Sequence, residues 1–271
     1  MVYFEPTKHQ YKSIDTNNAI DWTSVSSLIE KYKEPFDRDL IAERSSKSKK
    51  GKWNKYTPDQ IKQIWDDEKN RAIKLGNWYH DQREQDLLGL DTINRHGKEL
   101  PIIKIMYNEQ GMKVAQSQKL IDGIYPELLV YLRSAGIAGQ SDLVEVVNGK
   151  VYITDYKTNK EIKEHSFVNW EGMSKMMLGP LAHMEDCNMI HYQIQLSIYM
   201  YMILKHNPKL KPGGITLQHV EFKTIGENEY GYPIHETDND ENYIIDKINY
   251  INLPYSKHEV ISIINDHKAT K

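Results

Sequence analysis

Apolar residues recur along this chain in two rhythms. Val25, Leu28, Ile29 and Tyr32 form an i, i+3, i+4, i+7 stripe, which predicts an amphipathic helix capped by Thr23 or Ser24 and ended before Pro35. Thr57-Pro58-Asp59-Gln60 supplies a cap, a proline for the first turn and a glutamine that completes a capping box. From there Ile61, Ile64, Trp65, Ala72, Leu75, Trp78 and Tyr79 repeat at helical intervals. They predict a long helix to about Leu88, with Gly76 as its weak point and His80 late along it. Tyr192, Gln195, Leu196, Tyr199 and Ile203 predict a further helix, with Gln195 and Tyr199 on one face. A last helix is expected from about Lys257 to His267.

The second rhythm is alternation. Leu143, Val144, Val146 and Val147 on one side and Val151 and Ile153 on the other flank Asn148-Gly149, a strong hairpin signal. Asp142 and Asp155 are thereby expected on paired strands. Glu127-Leu-Leu-Val-Tyr131 predicts a strand that begins at Glu127 and leads through Ser134-Ala135-Gly136 into the Asp142 strand, making a three-stranded meander. Ile215 to Phe222 reads as another strand, after Pro212-Gly213-Gly214 closes the preceding region. Residues 91–122 carry only short apolar runs between Gly and Asn and are expected to be irregular helix and strand. The Met-rich stretch near 165–190 suits a packing or lid segment. No repeat or boundary divides the chain, so one domain over 1–271 is expected.

Composition narrows the classes. The residues are 39% hydrophobic and 27% charged, and no apolar run approaches the roughly 18 residues of a membrane span. Met1-Val-Tyr-Phe-Glu5 lacks the features of a signal peptide, so a soluble protein of the cytoplasm is expected. The single cysteine, Cys187, excludes an internal disulfide and cannot furnish the four thiolates of an iron–sulfur cluster. Net charge is −3, yet basic residues gather from Arg44 through Lys47, Lys49, Lys50 and Lys52 to Lys55, with Trp53 among them. That run suits tracking of a sugar–phosphate backbone, and equally a solvated loop between helices.

The chemistry concentrates around the hairpin. Asp155 and Lys157 are two residues apart on one strand, so a carboxylate and an ammonium leave the same face. Carboxylates that hold a divalent cation, beside a lysine that steadies developing charge, suit phosphodiester hydrolysis.

Gly139-x-x-Asp142, Asp155-x-Lys157, His80 in Gly76-Asn-Trp-Tyr-His80 followed by Glu84, and Gln195-x-x-x-Tyr199 occur in an order that resembles the PD-(D/E)XK nuclease superfamily. The nearest likeness is to its RecB-like exonuclease branch, of the cluster-free phage or mitochondrial type, over a motif core of about 76–223. The resemblance implies an α/β, restriction-endonuclease-like core with a central mixed β-sheet flanked by α-helices. It implies Asp142 and Asp155 as metal-binding carboxylates, the Tyr156 carbonyl as a further ligand, Lys157 as the catalytic lysine and Glu127 as an additional acid. His80 would add an imidazole ligand that admits Mn2+ beside Mg2+. Gln195 and Tyr199 would position the substrate strand and the lysine, and Thr158 and Lys160 would contact phosphates. The segment between Lys157 and Gln195 is longer than in compact members of the branch, a candidate substrate-shaping insertion.

The activity so implied is a metal-dependent DNA exonuclease of phage or bacterial DNA replication, recombination or repair, acting on single-stranded or duplex ends. The chain has no phosphate-loop motif, so unwinding would fall to a partner; a helicase, recombinase or single-strand-binding protein is the candidate. The alternatives are a structure-specific endonuclease on the same fold, a catalytically silent DNA-binding or scaffolding domain, and an unrelated α/β interaction protein.

Overall fold

In the computed structural model, which describes residues 2–49 and 51–270, the chain opens with a hairpin of β1 (Val2–Glu5) and β2 (Gln10–Ser13). A short strand, β3 (Thr23–Ser24), leads into helix α1 (Val25–Glu30), which Ser24 caps by accepting the Ser27 N–H. The expected basic loop is in part a second helix, α2 (Arg38–Lys47), capped by Asp37 through the Leu40 N–H. Ala42 is its single buried residue, so it lacks the apolar stripe that would have announced it. Lys50 of the basic run lies outside the described residues. The capping box at Thr57 forms as anticipated and opens α3 (Pro58–Leu88).

Residues 91–122 hold no helix among the described residues. They form hairpin β4 (Thr92–Arg95) and β5 (Lys98–Pro101), then β6 (Met106–Tyr107) and β7 (Lys113–Val114). β7 pairs with β1 at Tyr3 and Val114, building a small sheet in the order β2-β1-β7-β6.

The expected meander follows as β8 (Gly123–Leu132), β9 (Ile137–Val147) and β10 (Lys150–Lys157). Asn148 and Gly149 both take positive φ, as a two-residue hairpin turn of this hand requires. β8 starts at Gly123, so Glu127 sits in mid-strand and not at its beginning. Helix α4 (Asn188–His206) then crosses over to β11 (Lys211–Phe222), parallel to β10. β11 absorbs Pro212-Gly213-Gly214, which the sequence suggested as a terminator. After hairpin β12 (Thr224–Glu227) and β13 (Pro233–His235), β14 (Ile245–Leu253) closes the far edge, and α5 (Lys257–Ala269) ends the chain.

The main sheet runs β14-β11-β10-β9-β8, with β3 on a second stretch of β9. Two parallel pairs, β10 with β11 and β3 with β9, among antiparallel ones make it mixed. Alternation sends Val144, Val146, Val151 and Ile153 into a core with α1, α4 and α5, while Leu143, Val147 and Tyr156 meet Leu75 and Tyr79 of α3 on the other side. Helices therefore cover both faces, the α/β arrangement anticipated. No described helix is long and apolar enough to cross a membrane.

Candidate active site

A break in pairing creates the site. β8 lines one edge of β9 throughout, while the other edge meets β10 only from Leu143 to Val147 and β3 only at Ile137 and Ala138. Between them β9 has no strand on that side. The Asp142 carboxylate occupies the gap and accepts the Tyr156 backbone N–H at 2.7 Å. In an extended strand a residue's N–H and C=O leave the same edge, so the Tyr156 carbonyl points into the same gap.

Gly139 opens room behind it. A Cβ there would lie 2.5 Å from Tyr199 Cε1 and 2.9 Å from Val25 Cγ2, so the Tyr199 ring is seated on bare backbone. Its hydroxyl accepts from the Gln195 side-chain amide at 3.3 Å, the pair expected on one face of α4. Gly139→Ala is expected to cost about 1–3 kcal/mol of stability through overpacking and to displace this ring. Urea denaturation checks this, and an unchanged midpoint would show that Tyr199 yields freely.

The acidic cluster has three members. His80 Nδ1 lies 3.6 Å from Asp142 Oδ2 and 3.7 Å from Glu127 Oε1, and the ligand atoms of all three residues fall within 4.8 Å of one another. Glu127 faces Asp142 across the β8–β9 ladder, because its neighbours Pro126 and Leu128 pair with Leu143 and Ser141. Its φ of +49° is a left-handed conformation that glutamate rarely adopts. The Gln140 side-chain amide donates to Glu127, and Lys113 Nζ stands 3.8 Å from it and 2.6 Å from Glu84.

Asp155 lies beside this cluster and interacts electrostatically with Asp142 and His80. Its buried carboxylate lies against the Lys157 ammonium, outside the three-residue cluster. A buried carboxylate needs a counter-charge, and the lysine two residues along the same strand supplies it. Lys157 also lies 4.8 Å over the Tyr192 ring of α4.

Crowding of charge shows in the protonation equilibria. Burial pushes Asp142 above the usual carboxylate range against the pull of His80, and Glu127 adds to the rise. Burial likewise lifts Asp155 to about 6, against Lys157 and with Asp142 adding. For His80 burial acts downward, but the Asp142 and Glu127 carboxylates outweigh it and hold the imidazolium at about 9. For Lys157 burial is outweighed by Asp155 and Asp142, leaving it at about 12. Carboxylates that repel one another in a desolvated spot, joined by one imidazole, are a donor set that fits a hard divalent cation such as Mg2+ or Mn2+.

The remaining predicted residues divide between two clefts. Gln195 and Tyr199 line the cleft over the cluster. Thr158 and Lys160 line a neighbouring one with Arg71 and His235, and Lys160 Nζ lies 3.5 Å from Glu227. Trp53 packs edge-on against Tyr56 and Trp65, and Lys52 sits 4.5 Å over it, so this ring already has neighbours on the protein. In the Met-rich insertion Met177 and Leu181 join the core, while Trp170 is 91% exposed. Lys113, Gln140 and the β1–β2 residues at the cleft escaped sequence reasoning, since no spacing ties them to the hairpin.

The family model described as the PD-(D/E)XK nuclease superfamily matches residues 39–252 of the chain. Among solved structures, one described as "Crystal structure of SSO0001" is similar at 14% identity and a TM-score of 0.30, over 93% of this chain and 77% of that one. No curated protein matches.

Proposed function

The chain belongs to the PD-(D/E)XK nuclease superfamily, and from that premise we propose that it is a divalent-metal-dependent deoxyribonuclease that digests DNA from its ends, one nuclease domain serving DNA replication, recombination or repair. The convergence of His80, Glu127 and Asp142 beside the Asp155–Lys157 pair carries this reading. Those three side chains would hold Mg2+ or Mn2+, with Asp155 and the Tyr156 carbonyl completing the set. A divalent cation there supplies Lewis acidity toward the scissile phosphate and a water of lowered pKa. Lys157, buried and charged, steadies the negative charge that develops in the transition state. Gln195 and Tyr199 hold the strand against the lysine, and Thr158 and Lys160 take phosphates further along it. The exonuclease choice over an endonuclease rests on the RecB-like order of His80 before the carboxylates.

The test is to incubate the protein and its Asp155→Ala variant with end-labelled linear DNA and covalently closed circles in Mg2+, Mn2+ or chelator. Stepwise loss from one end of linear DNA, absent with chelator and in the variant, is the expected result. Cleavage of circles would turn the reading to an endonuclease. Metal-independent binding without cleavage of either DNA would turn it to a silent DNA-binding domain.

A further inference from the structure

The cleft over the cluster, about 840 Å³, is lined in a way that phosphate recognition does not explain. Apart from His80, Glu127 and Asp142 of the cation site, Asp81 and Glu84 face it against the single ammonium of Lys113, which Glu84 already holds at 2.6 Å. A polyanionic strand gains little affinity from such a rim by charge neutralisation. Apolar and aromatic surface is available instead. Ile73 stands 48% exposed on the stripe of α3 that also presents Gly76, Asn77 and His80 to the cleft. From the β1–β2 hairpin come Phe4, with the exposed His9 edge-on at 5.1 Å, and the exposed Pro6. Phe4 packs against Tyr11, which also lines the cleft, at 5.2 Å between ring centroids.

Resting on the nuclease reading, we propose that this rim is a nucleobase subsite. A base adjoining the scissile phosphate stacks on Phe4, flanked by His9 and Ile73, and the strand that enters the cleft is single. Duplex DNA turns its phosphates outward and covers its base faces by stacking, whereas a single strand offers a π-face at every nucleotide. Stacking of one base on an aromatic side chain corresponds to roughly five- to 150-fold in affinity, enough to offset an acidic rim. The small sheet β2-β1-β7-β6 thereby gains a purpose: it carries the base-contacting wall to a phosphate-cleaving floor built by β8, β9 and α3.

The experiment compares KM for a single-stranded oligonucleotide, its blunt duplex, and single strands bearing one abasic nucleotide at successive positions from the end, all in Mn2+. Wild type is expected to favour the intact single strand by at least about tenfold over the blunt duplex, and to lose about five- to 100-fold at one abasic position. Phe4→Ala and Ile73→Ala should raise KM on the intact strand and be indifferent to that abasic position. Equal use of duplex and single strand by wild type, or variant effects that persist undiminished on the abasic strand, would overturn the subsite. Ile73 and His9 are exposed enough that Ile73→Ala and His9→Ala keep the test open should Phe4→Ala unfold. Fluorescence anisotropy of the same oligonucleotides in chelator repeats the comparison without turnover. Discrimination against the abasic strand in binding, with no cleavage in any metal, would retain the subsite while the nuclease reading fails.

Discussion

Asp142→Asn is expected to lower metal-dependent cleavage on the order of 10³-fold or more while leaving the protein folded. The substitution keeps the shape of the side chain, and the Asn carbonyl can still accept the Tyr156 N–H that Asp142 now takes at 2.7 Å. What it removes is the negative charge, shared over both oxygens, beside His80, whose Nδ1 lies 3.6 Å from that same Asp142 Oδ2. A cation that loses one anionic ligand of this set is bound more weakly and polarises a phosphate less; several kcal/mol of transition-state stabilisation is at stake. Thermal melting separates the two consequences. Wild type should melt at higher temperature as Mn2+ is added, because a ligand that binds only the folded state stabilises it in proportion to its saturation. The variant should show its ordinary melting without metal and little or no rise with it. Retention of activity within tenfold, or an undiminished Mn2+ effect on melting, would remove Asp142 from the cation site.

How much of this was written in the sequence depends on whether local rules fix the element concerned. The Asn148-Gly149 turn is local: its two positive φ values and the Val147–Lys150 pair that closes it set the register of β9 on β10. Once the register is set, Asp142, Asp155 and Lys157 fall together at the far end of the hairpin. The capping box of α3 is equally local, and it carries His80 to the site because the helix runs unbroken past Gly76. The grouping of carboxylates is not local. Glu127 joins His80 and Asp142 through a left-handed backbone within β8 and through the loss of β10 from the edge of β9, and neither has a sequence signature. The small sheet unites Tyr3 with Val114, residues that no periodicity connects. β14 escaped for a different reason. Its burial pattern alternates weakly between partly buried and exposed positions, as an edge strand's does, so Ile245, Ile248 and Ile251 gave no run to read.

Lys157→Met tests whether the lysine serves the fold, the chemistry or both. Methionine matches much of the volume over the Tyr192 ring, so the packing change is small, but the buried Asp155 loses its counter-charge. Removing one partner of a buried ion pair costs roughly 3–5 kcal/mol, whereas removing both is close to neutral. In the metal-free protein the single variant should therefore be destabilised by a few kcal/mol, and Lys157→Met combined with Asp155→Asn should recover most of that loss. The sign with pH follows from Asp155, whose carboxyl burial lifts to about 6 even beside the lysine. Below that pH the folded protein carries a protonated, uncharged Asp155 that has nothing to leave unpaired, so the deficit shrinks. As pH rises through 6 the carboxylate would ionise in wild type and be opposed in the variant, so the deficit grows. Urea denaturation near pH 5.5 and pH 8 reads this directly, and equal deficits at both would mean the pair contributes no stability. Activity should not follow stability. If Lys157 stabilises charge in the transition state, kcat falls about 10²- to 10³-fold in the single variant at a temperature where it is folded; the double variant, which also removes a carboxylate of the cation site, reads stability alone. A stable Lys157→Met protein that cleaves normally would make the lysine a counter-ion for Asp155 and no more.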